Sequence, residues 1–213
     1  NIVPRGAAHG GMNEFVEGSS GWTDAGILIP YRYWKHFGDI QMIQDHYNSM
    51  KRLAEFMISR MGDTSDPELD QKLVPSEYRR YIVTTGFHFG EWNEPGSSPT
   101  DVVFPKFEEA TAYLIYSLRC MSEMAEAIGE KADAERYGDI SKKAKRAYQF
   151  YFIKNDRVES KRMCQYVRPL ALKLINDQSA KNVQDGLKNM VEESNYHVGT
   201  GFLSTPFVLN MLS

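Results

Sequence analysis

Three short clusters in this sequence combine residue types that can bind or transform a small polar molecule. The first is Gly18-Ser19-Ser20-Gly21-Trp22-Thr23-Asp24-Ala25, in which small residues deliver a tryptophan and an aspartate to the start of a helix. An indole on such a loop suits a sugar platform, because it offers a flat apolar face at low conformational cost. Asp24 has a plainer reading as an N-cap that accepts the free amides of the first turn. The second cluster is Gly86-Phe87-His88-Phe89-Gly90-Glu91-Trp92-Asn93-Glu94-Pro95. It packs two carboxylates, a histidine, two phenylalanines and a tryptophan between glycine and proline, a concentration that serves a binding loop as well as a structural one. Glu91 and Glu94 would form an acid–base pair only if their carboxyls stood on either side of a reacting bond. Acids three apart on a loop more often make a solvated edge or a cap. The third cluster, Val198-Gly199-Thr200-Gly201-Phe202-Leu203-Ser204-Thr205-Pro206, lacks the Gly-Lys-Ser/Thr ending and the preceding strand of a phosphate loop. It reads as a helix entry, with Ser204 or Thr205 as cap and Pro206 at the first position.

Little else in the chain suggests reaction chemistry. His9, His36, His46 and His197 do not pair at metal-ligand spacing, and no Ser-His-Asp arrangement is legible. Cys120 and Cys164 have neither a C-x-x-C spacing nor a nearby histidine. In their apolar helical contexts they read as buried free thiols before they read as a disulfide, a zinc site or a redox pair. No metal and no cofactor are expected. The 213 residues carry 25 basic and 28 acidic side chains, a net charge of −3, which argues against a nucleic-acid partner that would need a concentrated positive field. No apolar run approaches the roughly 18–20 residues of a membrane span, so no membrane partner is expected. The stretch Asn1 to Gly11 shows no signal-peptide pattern, which leaves the compartment open: a soluble chain, cytoplasmic or exported in a parent protein. The 12% aromatic content fits either a thick core or a surface that stacks on sugars.

The elements that must position these clusters are helices. Ile40, Ile43, Tyr47, Met50, Ala54, Met57 and Met61 recur in alternating steps of three and four, the stripe of one helix face. Upstream, Asp24 to Phe37 reads as a shorter helix that either kinks at Pro30 or begins near it. Further stripes run from Phe107 to Ile128, ended by Gly129, and from Ala134 to Tyr151. A helix is expected over Met163 to Ile175, another over Ser179 to Glu193 with Ser179 as cap, and a last one over Thr205 to Leu212. Only Tyr81 to Thr85 has the alternation of a strand. The charge-rich stretch Glu130 to Lys145 reads as a solvated helical face.

Gly38-Asp39 and Gly129-Glu130 are very short connections, so the helices they join should be antiparallel. The stretch Gly62 to Pro105 is long, and long connections in compact domains are more often functional than idle. Tight turns alternating with long excursions are the layout of a helical-hairpin toroid. A linear solenoid would show a fixed repeat of about 34–47 residues, and none is visible. The helices do not pair off, which makes the chain read as an incomplete all-α toroid, a fragment.

In order along the chain, Gly21-Trp22-Thr23-Asp24-Ala25 with Ile29-Pro30-Tyr31, Phe37-Gly38-Asp39, Tyr47-Asn48-Ser49-Met50-Lys51, Gly90-Glu91-Trp92, Ala125-Glu126-Ala127-Ile128-Gly129, Gln165-Tyr166 before Leu170-Ala171-Leu172, and Thr200-Gly201-Phe202-Leu203-Ser204-Thr205 resemble the catalytic domain of bacterial α-L-rhamnosidases. The resemblance implies an inverting glycoside hydrolase with an (α/α)6 toroid built from antiparallel helical hairpins, of which residues 1–213 would be a fragment of one domain. It implies that aromatic residues matching Trp22 and Trp92 line the pocket for terminal rhamnose, with Asp24 beside the first. Where this chain has Glu91 the family usually has aspartate. The family's proton-donating glutamate belongs to an Asp-x-x-Arg-x-Glu-Arg stretch with no match upstream of Gly21. Its water-activating glutamate would follow beyond Ser213, so neither catalytic carboxylate is expected within the chain.

The reading is therefore a glycosidase fragment that binds terminal α-L-rhamnose. Trp22 and Trp92 would stack on the sugar, Asp24 and Glu91 would bind its hydroxyls, and His88 and Glu94 stand in reserve. Without acid and base the chain alone should not turn over, and helix faces left uncovered by missing hairpins should drive self-association. The rivals are a non-enzymatic helical-hairpin module whose tryptophan loops bind a protein partner, and a six-hairpin glycosidase acting on another sugar.

Overall fold

The structure, a computed structural model, describes residues 18–62, 76–98 and 106–213. The expectations for Asn1 to Gly11, for His9 and for the inner part of the Gly62–Pro105 connection fall outside them. Among the described residues the chain is all-α: α1 (Ala25–Phe37), α2 (Gln41–Ser59), α3 (Ser76–Arg79), α4 (Phe107–Ile128), α5 (Lys131–Phe152), α6 (Cys164–Ala171), α7 (Asp177–Glu193), a 3-10 turn (Thr205–Phe207) and α8 (Val208–Leu212). The Tyr81–Thr85 alternation yields no strand, only a single antiparallel bridge between Met61 and Val83.

Helix α4 is the mast of the fold. It packs against α1, α2, α5 and α6, and its buried side chains spread round most of its circumference, from Ala110, Leu114 and Leu118 to Ala112, Ile115 and Cys120. An all-round apolar helix of this kind belongs at the centre of a core. Its first partner is α5, reached through Gly129, whose φ of 86° closes the helix in the left-handed region. Hydroxyls stitch the two together: Ser122 donates to the Ala134 carbonyl (2.7 Å), Ser141 to the Ile115 carbonyl (2.9 Å) and Tyr148 to Glu108 (2.6 Å). Residue numbers fall along one helix as they rise along the other, so the hairpin is antiparallel as its short turn predicts.

On one side of α4, α1 and α2 complete a core of Ile27, Ile43, Met50, Leu114, Leu118, Met121 and Met124. Most of the charged side chains of α5 face outward, but Asp133 reaches Lys51 (2.6 Å) and Tyr47 (3.0 Å), and Arg136 pairs with Glu55, tying α5 to α2. On the other side α6, α7 and α8 gather around Met163, Val167, Leu187 and Val208. Leu172, Leu174 and Leu203 bridge that group to α4 and α5. Both cysteines are buried free thiols, and burial pushes Cys120 up to about 12.

The helix ends correct several expectations. Pro30 lies inside α1 as its sixth residue, so the helix neither starts nor stops at it. The helix expected to reach Ile175 ends at Ala171, because Leu172, Lys173 and Leu174 bond back in a tight turn in which Lys173 takes a φ of 55°. α7 is capped by Asn176, which accepts from the Ser179 amide at 2.8 Å, while the Ser179 hydroxyl goes to Asp156. Asp24 makes no forward cap, and neither Ser204 nor Thr205 caps the last helix, since those side chains are engaged elsewhere. Ile29, Phe37, Tyr196, Val198 and Leu209 are exposed.

Leu118 is wholly buried where α4 meets its neighbours. Leu118→Ala should cost about 2–5 kcal/mol of stability in urea denaturation, by lost burial and the cavity left behind. Gly129→Ala, where an added Cβ would meet nothing within 4 Å, should cost only the backbone strain of about 1–2 kcal/mol.

Candidate functional site

The three clusters of the sequence come together at one place. The first loop (Gly18–Asp24) and the second (Thr84–Ser98) are joined through buried polar contacts. The Ser20 amide donates to His88 Nδ1 at 3.0 Å, the Phe89 amide to Ser19 Oγ at 2.9 Å, and the Trp22 indole N–H to the Gly90 carbonyl at 3.1 Å. Because Nδ1 accepts, the proton of His88 sits on Nε2, which donates to the Thr85 carbonyl at 3.2 Å. Burial pushes His88 down to about 4, so the ring is neutral across the ordinary pH range.

The third loop (Asn195–Ser204) closes on the second. The Phe202 amide donates to the carbonyls of Glu91 and Trp92, the latter at 2.9 Å. Both hydrogen-bonding groups of Ser204, amide (3.0 Å) and hydroxyl, end on the Glu91 carboxylate. Gly201 makes this approach possible: a Cβ there would lie 2.6 Å from the Trp92 carbonyl oxygen and closer still to that of Glu91.

This closure assembles an aromatic face. Trp22 stacks on Phe202 with ring centres 5.3 Å apart and planes at 16°, and Phe89 stands edge-on to both Trp22 (6.2 Å) and Trp92 (5.9 Å). Phe202 is 65% and Trp92 48% exposed. Trp92 and Asn93 both have left-handed backbones, φ 47° and 57°. For a bulky residue such as tryptophan this is a strained conformation, of the sort that persists where the surroundings over-determine it.

What holds the second loop is a buried ion cluster. Arg168, 2% exposed on α6, pairs with Glu91 and places Nε and Nη2 on Glu108 of α4 at 3.1 and 2.6 Å. Glu108 also accepts from Tyr148. Burial works against the charge of Arg168, and the carboxylates around it more than restore it, holding the guanidinium well above its usual range. Glu94 is paired with Arg162 (2.6 Å) at the cluster's edge. Asp24, 1% exposed, accepts from the Gly21 amide and the Ser117 hydroxyl, both at 2.7 Å, which pins the first loop to α4. Burial raises it to about 6. Among the described residues no group of three His, Cys, Asp or Glu side chains is arranged to hold a metal ion, and no helix is long and apolar enough to cross a membrane.

This helical framework, with its loops converging on a face of indole and phenyl rings, matches the family of the bacterial alpha-L-rhamnosidase 6 hairpin glycosidase domain over residues 1–213. The chain belongs to that family. It is 28% identical over 198 residues to an alpha-L-rhamnosidase of Streptomyces avermitilis, covering 92% of this chain and 17% of that protein. An alpha-L-rhamnosidase of Formosa agariphila is 24% identical over 200 residues, covering 91% of this chain and 19% of its own. The chain thus spans about a fifth or less of the length of these relatives. The fold agrees with the crystal structure of the Streptomyces avermitilis alpha-L-rhamnosidase complexed with L-rhamnose, at a TM-score of 0.72 and 26% identity over 96% of this chain and 17% of that one. It agrees equally with the native rhamnosidase of Aspergillus terreus, at a TM-score of 0.72 and 21% identity over 91% of this chain and 21% of that one.

Of the residues singled out in the sequence, Trp22 and Trp92 lie on the aromatic face of this six-hairpin glycosidase domain. Asp24, His88 and Glu91 lie behind it with their polar atoms committed to protein partners, and Glu94 lies at the rim. Phe202 and Arg168 were not foreseen. Phe202 sat inside a segment that read as helix entry, and Arg168 gave no local signal because its partners are 60 and 77 positions away.

Gly201→Ala should push the third loop off the second, broadening the Trp22 and Trp92 side-chain resonances and lowering the urea midpoint. The His88 ring should titrate near pH 4 by NMR. Because its folded value lies below its unfolded one, it contributes stability that is present above about 6.5 and is lost as pH falls toward 4.

Proposed function

We propose that this chain supplies part of the sugar-binding wall of a domain that hydrolyses terminal α-L-rhamnosides with inversion. The observation that carries the reading is the Trp22–Phe202–Phe89–Trp92 face in a chain of this family. Trp92 and Phe202 are exposed and Trp22 and Phe89 half-buried behind them; such rings suit the apolar face of a pyranose, and the C6 methyl of rhamnose extends that apolar surface. In this reading Trp22 and Trp92 contact the sugar. Asp24, His88 and Glu91 act through them, by fixing the loops, and Glu94 holds the rim through Arg162.

An inverting mechanism needs a general acid and a general base about 6.5–9.5 Å apart with water between them. Neither role falls to the carboxylates of the described site. Glu91 is spent on Arg168 and Ser204, Glu94 on Arg162, and Asp24 on Ser117 and Gly21. The acid and base would come from other parts of the domain. The exposed Ile29, Phe37 and Leu209 mark faces that further hairpins would cover, or through which copies of the isolated chain would associate.

The test is hydrolysis of an aryl α-L-rhamnoside by this chain and by the longer protein that contains it. The longer protein should be active and the chain inactive. In the longer protein Trp92→Ala should raise KM tenfold or more, corresponding to about 1.4 kcal/mol of lost binding. Activity in the chain alone would overturn the assignment of acid and base, and an inactive longer protein would overturn the substrate.

A further inference from the structure

We propose that Glu109 is a proton-operated latch beneath the second loop: while neutral it leaves Arg168 to hold Glu91, and once ionised it competes with Glu91 for that guanidinium and frees the Gly90–Trp92 turn. The inference does not depend on the sugar reading, since it concerns what holds the loop and not what the loop binds.

Its basis is the geometry of the cluster. Three carboxylates, Glu91, Glu108 and Glu109, surround one guanidinium. Two of them use it: Nη1 is bonded to Glu91, while Nε and Nη2 are bonded to Glu108. Glu109 is left over. It is 2% exposed, its nearest oxygen is 3.6 Å from Arg168 Nη1, and neither oxygen has a hydrogen-bond partner. An ionised carboxylate in that position would be a buried charge with no hydrogen bond, which costs far more than a buried neutral acid.

Titratable and charged groups face it from each neighbouring element. Glu91 comes from the second loop, and Glu94 beside it is occupied by Arg162. From the start of α4 come Glu108, which repels, and Lys106, whose stem passes Gly90; Tyr113 lies one turn on. From α6 come Arg168 and the buried Cys164, and from α5 comes Tyr148, which is bonded to Glu108. Burial is the main cause that raises Glu109, to about 8, opposed first by Arg168 and last by Arg162, with Glu91 and Glu108 adding to the rise.

The latch acts on the loop because of where Glu109 lies. A Cβ on Gly90 would stand 3.8 Å from its Oε2, so the carboxyl packs directly under the turn, whose φ at Gly90 is 75°. Nη1, the Arg168 nitrogen paired with it at 3.6 Å, already carries Glu91, which in turn holds Ser204 of the third loop. When the proton leaves, Nη1 is shared between two carboxylates, and the Glu91–Ser204 junction is the contact that loosens.

The sign follows from the folded state holding this proton more tightly than the unfolded chain does. Stability from Glu109 is complete below about 4.5 and is lost as pH rises to about 8, with a limiting slope of roughly tenfold in the folding constant per pH unit. Asp24 acts in the same direction with a window that closes near 6, and His88 acts in the opposite direction up to about 6.5, so the range from about 6.5 to 8 reports on Glu109.

The experiment follows urea midpoints from pH 5 to 9 for the chain and for Glu109→Gln, an isostere of the neutral acid. The 19F resonances of fluorotryptophan-labelled protein are followed over the same range, with Trp92→Phe as the assignment control. In the chain the midpoint should fall between pH 6.5 and 8, and the Trp92 resonance should shift or broaden with a midpoint near 8. In Glu109→Gln both changes should be absent, and the Trp34 resonance should be unmoved in either protein. Equal slopes in the two proteins, or a Trp92 resonance indifferent to pH, would overturn the latch. Should Glu109→Gln fail to fold, the 13C carboxyl resonances of glutamate-labelled chain decide: one group titrating near 8 in step with Trp92 supports the proposal, and completion of every glutamate titration below pH 6 refutes it.

Discussion

The guanidinium of Arg168 is shut inside the protein, where its charge must be met by other side chains, and the arrangement of the functional face follows from which ones meet it. Glu108 fixes it to α4, Glu91 fixes the second loop to it, and Ser204 brings the third loop onto the same carboxylate. A buried ion cluster of this sort adds little net stability, because desolvation consumes most of the attraction. Its effect is on arrangement: an apolar replacement of the same volume could pack α6 against α4 in several ways, whereas a forked donor between two carboxylates accepts few.

The strain at Trp92 becomes intelligible on that basis. A bulky residue in the left-handed region would relax if its neighbours allowed it. Here the carbonyls of Glu91 and Trp92 both receive the Phe202 amide, and the Glu91 side chain is held from below. The indole is consequently presented outward on a turn that cannot unwind while the cluster is intact.

The helices were legible because each is written locally. The step pattern from Ile40 to Met61, and the Gly129 stop after Ile128, need no knowledge of the rest of the chain. The meeting of the first two loops was legible only through the family resemblance of Gly-Trp-Thr-Asp and Gly-Glu-Trp, and that of the third loop was not legible. The contacts that hold them were not legible at all: Ser204 and Glu91 are 113 positions apart, and Asp24 and Ser117 are 93 apart. Local capping rules misassigned Asp24, Ser179 and Ser204 for the same reason. Each has a short polar side chain that can bond the adjacent helix end, and in each case a distant partner won. Glu109 carries no local signal, since glutamates in a helix's first turn are ordinary, and only the structure shows that this one is turned inward.

The stitching of α4 to α5 carries a mechanical implication. Its hydroxyl ties, at Ser122, Ser141 and Tyr148, are spaced along the whole hairpin and share one alignment. Sliding one helix past the other by even a single turn would strand all of them together, so small axial creep cannot be accommodated piecemeal. The pair therefore behaves as a keyed shaft. Axial displacement of α4 at its Glu108 end would carry α5 with it.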